Sequence, residues 1–170
     1  MTALTDLAVP LLHDYLLQTA ARLPDKVAVV CKGVQISYAE MNAASNALAH
    51  ALVRRGVRRG DRVIVFADNT VEAAIAFWSV LKANAVVSVV NPLTKADKLA
   101  YLLNDCRALA LVTDAHLAGV CQAALERSPH VRTVIVSGSP DESSLNKLPG
   151  GIAGQLSVCV EGDDILDRRQ

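Results

Sequence analysis

Apolar positions along this chain change period, from helical spacing to β-rich runs and then to an alternation of the two. Between Leu11 and Arg22, the residues Leu12, Tyr15, Leu16 and Thr19 recur at helical spacing, and Pro24 closes the segment, which predicts a first helix. Val27–Cys31 and Val34–Ser37 are β-rich and separated only by Lys32-Gly33. Glycine supplies the positive φ of a two-residue turn, so a small antiparallel hairpin is expected. Ser37 and Glu40 stand three apart, the spacing of a reciprocal capping box. The helix it opens carries Met41, Ala44, Leu48 and Leu52 on one face; Arg54 and Arg55 complement its negative end, and Gly56 suits the left-handed position after it.

Beyond Gly56 the rhythm is strand, helix, strand. Val63–Ala67 is a continuous apolar run, Asn69 with Glu72 repeats the capping logic before a helix to about Lys82, and Ala85–Val90 is a second apolar run. Lys95–Asn104 predicts a helix, Leu109–Thr113 a strand, Asp114–Glu126 a helix capped by Asp114, and Val131–Val136 a further strand. Continuous rather than alternating apolar strands imply burial on both faces, as in parallel sheets. The expected fold is α/β: a doubly wound, mostly parallel sheet with helices on both faces, plus the N-terminal hairpin. Residues 1–136 form this α/β unit. Residues 137–170 read as loop and connection, broken by Ser137-Gly138-Ser139-Pro140 and Pro149-Gly150-Gly151, with Ser157–Val160 a candidate short strand.

Composition narrows the functional classes. With 170 residues, 52% of them hydrophobic, and a mean hydropathy of +0.30, the chain has material for one core. Lys plus Arg and Asp plus Glu balance at 17 each, so no global field favours nucleic acid or an anionic membrane. Met1–Asp6 lacks the basic and apolar regions of a secretory signal, and no charge-free stretch reaches the roughly twenty residues of a membrane span, so cytoplasmic residence is the default. Cys31, Cys106, Cys121 and Cys159 are too irregularly spaced for a local redox or zinc pair and read as reduced thiols. His13, His50, His116 and His130 are scattered, without the spacing that places two imidazoles on one helical face, and read as lone histidines.

Motifs for local chemistry are sparse. Gly150, Gly151 and Gly154 neither follow a convincing strand nor open a helix, so a linker is preferred over a phosphate cradle. Gly60-Asp61-Arg62 suits a tight turn better than a site ion pair, and Asn69 is explained by capping. Phe77 and Trp78 belong to a core stripe with Ile75 and Leu81. Ser137, Ser139, Ser143 and Ser144 have no histidine placed beside them, and Asp163-Asp164 lacks further ligand spacing. Asn91-Pro92 follows an apolar strand, where ligand crevices of open α/β sheets form, although Pro92 simply ending the strand is the preferred reading.

The succession Pro24-Asp25-Lys26-Val27-Ala28, Ser37-Tyr38-Ala39-Glu40-Met41, Gly56-Val57-Arg58-Arg59-Gly60-Asp61, Asn69-Thr70-Val71-Glu72, Phe77-Trp78-Ser79-Val80-Leu81-Lys82-Ala83, Asn91-Pro92 and Leu103-Asn104-Asp105-Cys106 resembles the N-terminal portion of AMP-forming acyl-CoA or aryl-CoA synthetases, adenylate-forming enzymes that bind AMP. Asn84 departs from the glycine usual there. The resemblance implies a parent ligase that activates a carboxylic acid with ATP and Mg2+ as an acyl adenylate, then forms a thioester with coenzyme A or a carrier-protein thiol. It also points to Lys95, the cation nearest after Asn91-Pro92, as a contact for a coenzyme A phosphate. The family's Gly-x-Pro-Lys-Gly loop does not occur here, so the chain alone is expected to be catalytically silent, to have the remainder of the same enzyme as its partner, and to expose an apolar patch where that remainder docks. A non-catalytic interaction or scaffold module and a small stand-alone Rossmann-like nucleotide binder are the alternatives.

Overall fold

The computed structural model describes residues 10–137 and the strand Ser157–Val160. Helix α1 spans Leu12–Arg22 and is followed by β1 (Val27–Cys31) and β2 (Val34–Ser37). Lys32 and Gly33 both have positive φ, 49° and 83°, the signature of the tight hairpin turn whose twist matches its strands. Ser37 Oγ accepts from the Glu40 amide at 3.2 Å and Glu40 Oε2 accepts from the Ser37 amide at 2.8 Å, so the capping box opens α2 (Tyr38–Arg54).

The strands β3 (Arg62–Phe66), β4 (Val86–Val90), β5 (Ala110–Asp114), β6 (Thr133–Ser137) and β7 (Ser157–Val160) form one parallel sheet in the order β4-β3-β5-β6-β7. Helices α3 (Val71–Lys82), α4 (Ala96–Asp105) and α5 (Ala118–Leu125) are the crossovers, with a 3-10 turn at Ala115–Leu117 before α5. Strand residues alternate between two cores. Val63, Val65, Ala110, Val112 and Ile135 pack on one side with α1, α2, α3 and the hairpin; Ile64, Phe66, Leu111, Val134 and Val136 pack on the other with α4 and α5. Each large side chain so buried contributes about 1.5–3 kcal/mol. The sheet is thus doubly wound, with helices on both faces.

The ends of α2, α3 and α4 repeat one solution. The amides of Val57, Ala85 and Ala108 bond back to the carbonyls of Leu52, Val80 and Leu103, and the intervening Gly56, Asn84 and Arg107 have φ of 92°, 57° and 49°. This is the Schellman closure, which needs a left-handed residue. Asparagine is among the few non-glycine residues that enter that region readily, so Asn84 preserves the turn that glycine would make.

Three expectations need correction. The cap of α3 is Thr70, whose Oγ1 accepts from the Ala73 amide at 3.2 Å; Asn69 stands one residue outside, exposed, its carbonyl accepting from Cys31 Sγ at 3.1 Å. Both residue types cap, and the one standing three residues before the third helical amide, Ala73, prevails. Asp114 caps no helix; its carboxylate is spent across the sheet, as described below. The apolar run ending in Val90 is an outer strand rather than a buried one, with Val86 50% and Val89 64% exposed, because the sheet order leaves β4 with a single neighbour among the described residues. The segments 138–156 and 161–170 lie outside the described residues, and with them Ser139, Ser143, Ser144, Gly150, Gly151, Gly154 and Asp163-Asp164.

Candidate functional site

In an open parallel sheet every strand points its carboxyl end at the same edge, and loops there collect polar groups from distant parts of the chain. Here that edge holds Asp68 after β3, Asn91-Pro92 after β4, Asp114 at the end of β5 and Ser137 at the end of β6.

Asp114 is the centre of this edge and is buried, 8% exposed. Its Oδ2 accepts from the Asp68 backbone amide at 2.7 Å and its Oδ1 from the Ser137 hydroxyl at 2.6 Å. One side chain thereby ties the loop after β3 to the end of β6. His116, in the 3-10 turn, brings Nε2 to 3.5 Å from Asp68 Oδ2. Among the described residues, Asp68, Asp114 and His116 are the group whose ligating atoms converge, all within 4.8 Å of one another. His116 is therefore not a lone histidine. Its carboxylate neighbour lies 48 positions away in the chain, and only the pairing of β3 with β5 brings them together.

Lys95 lies at the same edge but apart from these groups. It is exposed and occupies the N-cap of α4 with extended backbone, φ −75° and ψ 158°, and no side chain caps the helix. The first-turn amides are thus open beside an ammonium, an arrangement suited to an anion. The loop before it is built by Asn91, whose Oδ1 accepts from the Leu93 amide at 2.8 Å, and by Pro92 ending the strand. Leu93 projects into solvent at 87% exposure.

The remaining candidates resolve into structure. Asp61 Oδ2 accepts from the Arg58 amide at 2.7 Å, closing a turn, and Arg62 donates to the carbonyls of Cys106, Gly60 and Arg107 at the opposite edge of the sheet. Phe77 and Trp78 meet edge to face at 5.5 Å, and Trp78 packs on the first core. Cys31, Cys106 and Cys121 are free thiols; burial raises Cys106, and raises Cys121 to about 11, so the Cys121 thiol is a poor nucleophile.

Lys82 was absent from the sequence candidates. From the end of α3 its ammonium donates to Asn42 O at 3.1 Å, Asn42 Oδ1 at 2.7 Å, Ser45 Oγ at 2.7 Å and Asn46 Oδ1 at 2.8 Å, all on α2. No carboxylate is among these acceptors, and burial lowers its pKa to about 8. The signal in the sequence was the polar trio Asn42, Ser45 and Asn46 at helical spacing beside an apolar face.

Comparison with known proteins agrees with this architecture. The family model described as AMP-binding enzyme matches residues 16–165. The chain is 36% identical over 114 residues to a medium/long-chain-fatty-acid–CoA/3-oxocholest-4-en-26-oate–CoA ligase of Mycobacterium tuberculosis, covering 67% of this chain and 21% of that protein. It is 32% identical over 142 residues to triostin synthetase I of Streptomyces triostinicus, covering 83% and 26%. A benzoate CoA ligase from Burkholderia xenovorans superposes with a TM-score of 0.72 at 26% identity, over 81% of this chain and 28% of that one. The chain thus spans about a fifth to a quarter of the length of these curated relatives.

Proposed function

The chain belongs to the AMP-binding enzyme family, and from that premise we propose that it supplies the N-terminal α/β subdomain of a cytoplasmic, ATP-dependent ligase. The ligase joins a carboxylic acid to AMP as an acyl adenylate and passes the acyl group to a thiol, coenzyme A in first place. Residues 1–136 are the subdomain and residues 137–170 lead toward the rest of the enzyme. The observation that carries this reading is the family match across residues 16–165 in a chain whose similarity covers about a fifth of the length of the first of those relatives. Fatty acids are the first acids to try, following the ligase of Mycobacterium tuberculosis.

The chemistry divides accordingly. A carboxylate has a poor leaving group; attack on the α-phosphorus of ATP expels pyrophosphate and installs AMP, which a thiolate then displaces. The described residues do not fit a triphosphate with its Mg2+. Gly33, Gly56 and Gly60 are turn residues with positive φ and Gly119 lies within α5, so none of the four forms a loop opening a helix N-terminus. No step of adenylation is therefore assigned to these residues. Lys95 does fit a phosphate of coenzyme A, through its exposed ammonium and the open first turn of α4. Among the described residues, no helix is long and apolar enough to cross a membrane.

The partner in this reading is the remainder of the same enzyme. Val86, Val89 and Leu93 on the outer strand and its loop, and Leu12 and Tyr15 on α1, are large apolar groups more than half out in solvent or at the half-way mark, and would be covered by it. The test is release of pyrophosphate dependent on both acid and ATP. The 170-residue chain alone is expected to give none, and the product of the reading frame extended past codon 170 is expected to give it. Turnover by the chain alone, or an inactive extended product without a Gly-x-Pro-Lys-Gly loop, would overturn the proposal.

A further inference from the structure

We propose that Asp68, Asp114 and His116 form a divalent-metal site, two carboxylates and one imidazole selecting Zn2+, in the crevice where the sheet changes winding direction.

Topology locates the crevice. Numbered from β3, the strand order is 2-1-3-4-5, the flavodoxin-like doubly wound arrangement, whose ligand crevice lies beyond the carboxyl ends of strands one and three. In this chain those are β3 and β5. The loop after β3 turns to α3 on one face, and the loop after β5 turns to α5 on the other. Asp68 stands on the first loop, Asp114 and His116 at the start of the second.

Geometry favours a shared ion over a direct bond. The Nε2 of His116 and Oδ2 of Asp68 are 3.5 Å apart, beyond the range of a good N–H···O bond. Ligand atoms on a tetrahedral ion with bonds of about 2.0–2.2 Å are spaced roughly 3.4 Å apart. The third ligating atom, a carboxylate oxygen of Asp114, lies within 4.8 Å of both, and because Asp114 is held by its two hydrogen bonds, closing on an ion falls to rotation of the more exposed Asp68 and His116 side chains.

Charge gives an independent reason. Asp114 is a buried carboxylate beside a second carboxylate, and among the described residues neither forms an ion pair with Lys or Arg. Buried charges are ordinarily paired or coordinate metals. The Asp68 amide and the Ser137 hydroxyl each take one lone pair of Asp114, which holds its orientation and leaves further lone pairs on both oxygens. Asp68 is 36% and His116 59% exposed, so an ion has a path in and water completes its coordination. A mixed nitrogen and oxygen set binds Zn2+ ahead of Mn2+, and Mg2+ weakly.

The experiment is calorimetric titration of the full chain, stripped with chelator, using ZnCl2 and MnCl2, on wild type and on His116→Ala, Asp68→Ala and His130→Ala. The first two replace exposed or half-exposed residues, and circular dichroism confirms that each variant is folded. One Zn2+ per chain is expected, with affinity lower by about tenfold or more in both ligand variants and unchanged in His130→Ala. Co2+ absorption separates thiolate binding, because a sulfur-to-metal charge-transfer band would place the ion on a cysteine. That band, the lack of saturable binding in the millimolar range, or ligand variants that bind as wild type does would overturn the site.

Discussion

Replacing Lys82 with Met asks whether the ammonium, rather than the carbon stem, holds α3 against α2. Met keeps the stem and deletes the donors. Of the four oxygens around Nζ, Asn46 is exposed and recovers water, whereas Ser45 is fully buried and Asn42 half-buried. Ser45 keeps its own bond to the Asn42 carbonyl at 3.1 Å, so part of the network survives. At about 0.5–1.5 kcal/mol net per hydrogen bond, two or so unreplaced bonds amount to roughly 1–3 kcal/mol, and the burial that lowers Lys82 offsets part of this while the ammonium is charged, so the loss at neutral pH falls at the lower end, about 1 kcal/mol. The pH dependence is the sharper test. Burial places Lys82 at about 8 in the folded chain against 10.5 when unfolded. Between those values the unfolded chain carries the proton and the folded chain has released it, so stability rises with pH. Below about 8 both states are protonated and the contribution is flat. Cys121 acts in the opposite sense, its stabilisation being lost as pH rises from 9.0 through about 11, but it is common to both proteins and cancels in the difference. Urea unfolding followed by circular dichroism, from neutral pH to about 10.5, therefore yields a wild-type advantage over Lys82→Met that grows above about 8. A variant at least as stable as wild type at neutral pH, or an advantage that stays level or shrinks above 8, refutes the reasoning.

Thr70→Ala is expected to cost about 1 kcal/mol through loss of the α3 cap, while Asn69→Ala stays within about 0.5 kcal/mol; equal effects in denaturant unfolding would contradict the assigned cap. At the left-handed turn after α3, Asn84→Gly is expected to be nearly neutral and Asn84→Val to cost roughly 1–2 kcal/mol, and thermal unfolding of the two variants measures the difference.

How much of this was legible in the sequence depended on the distance over which each feature is decided. The capping box of Ser37 and Glu40, the hairpin turn and the Gly56 closure are settled within six residues, and each stands where local chemistry puts it. Asn69 and Thr70 are adjacent residues of types that both cap helices, and the choice falls to backbone dihedrals that composition does not encode. Asp114 sits before a helical pattern, so capping was the natural reading, yet its partners are the Asp68 amide and Ser137, 46 and 23 positions away. Strand order likewise escapes a linear reading: Val86–Val90 is as apolar as Arg62–Phe66, and only the crossover back over β3 makes one strand outermost and the other central. The convergence of Asp68, Asp114 and His116 follows from that same crossover.

The outermost position of β4 among the described strands also carries an expectation for the chain by itself in solution. Its sequence, Val86-Val87-Ser88-Val89-Val90, carries no charge, proline or register shift, the devices by which edge strands ordinarily refuse partners. Such a margin is a template for any extended segment that meets it, another molecule of the same chain included. Self-association seeded there is bimolecular, so concentration rather than temperature alone governs how long the monomer survives, and aggregates should begin as strand-to-strand adducts instead of globally unfolded protein.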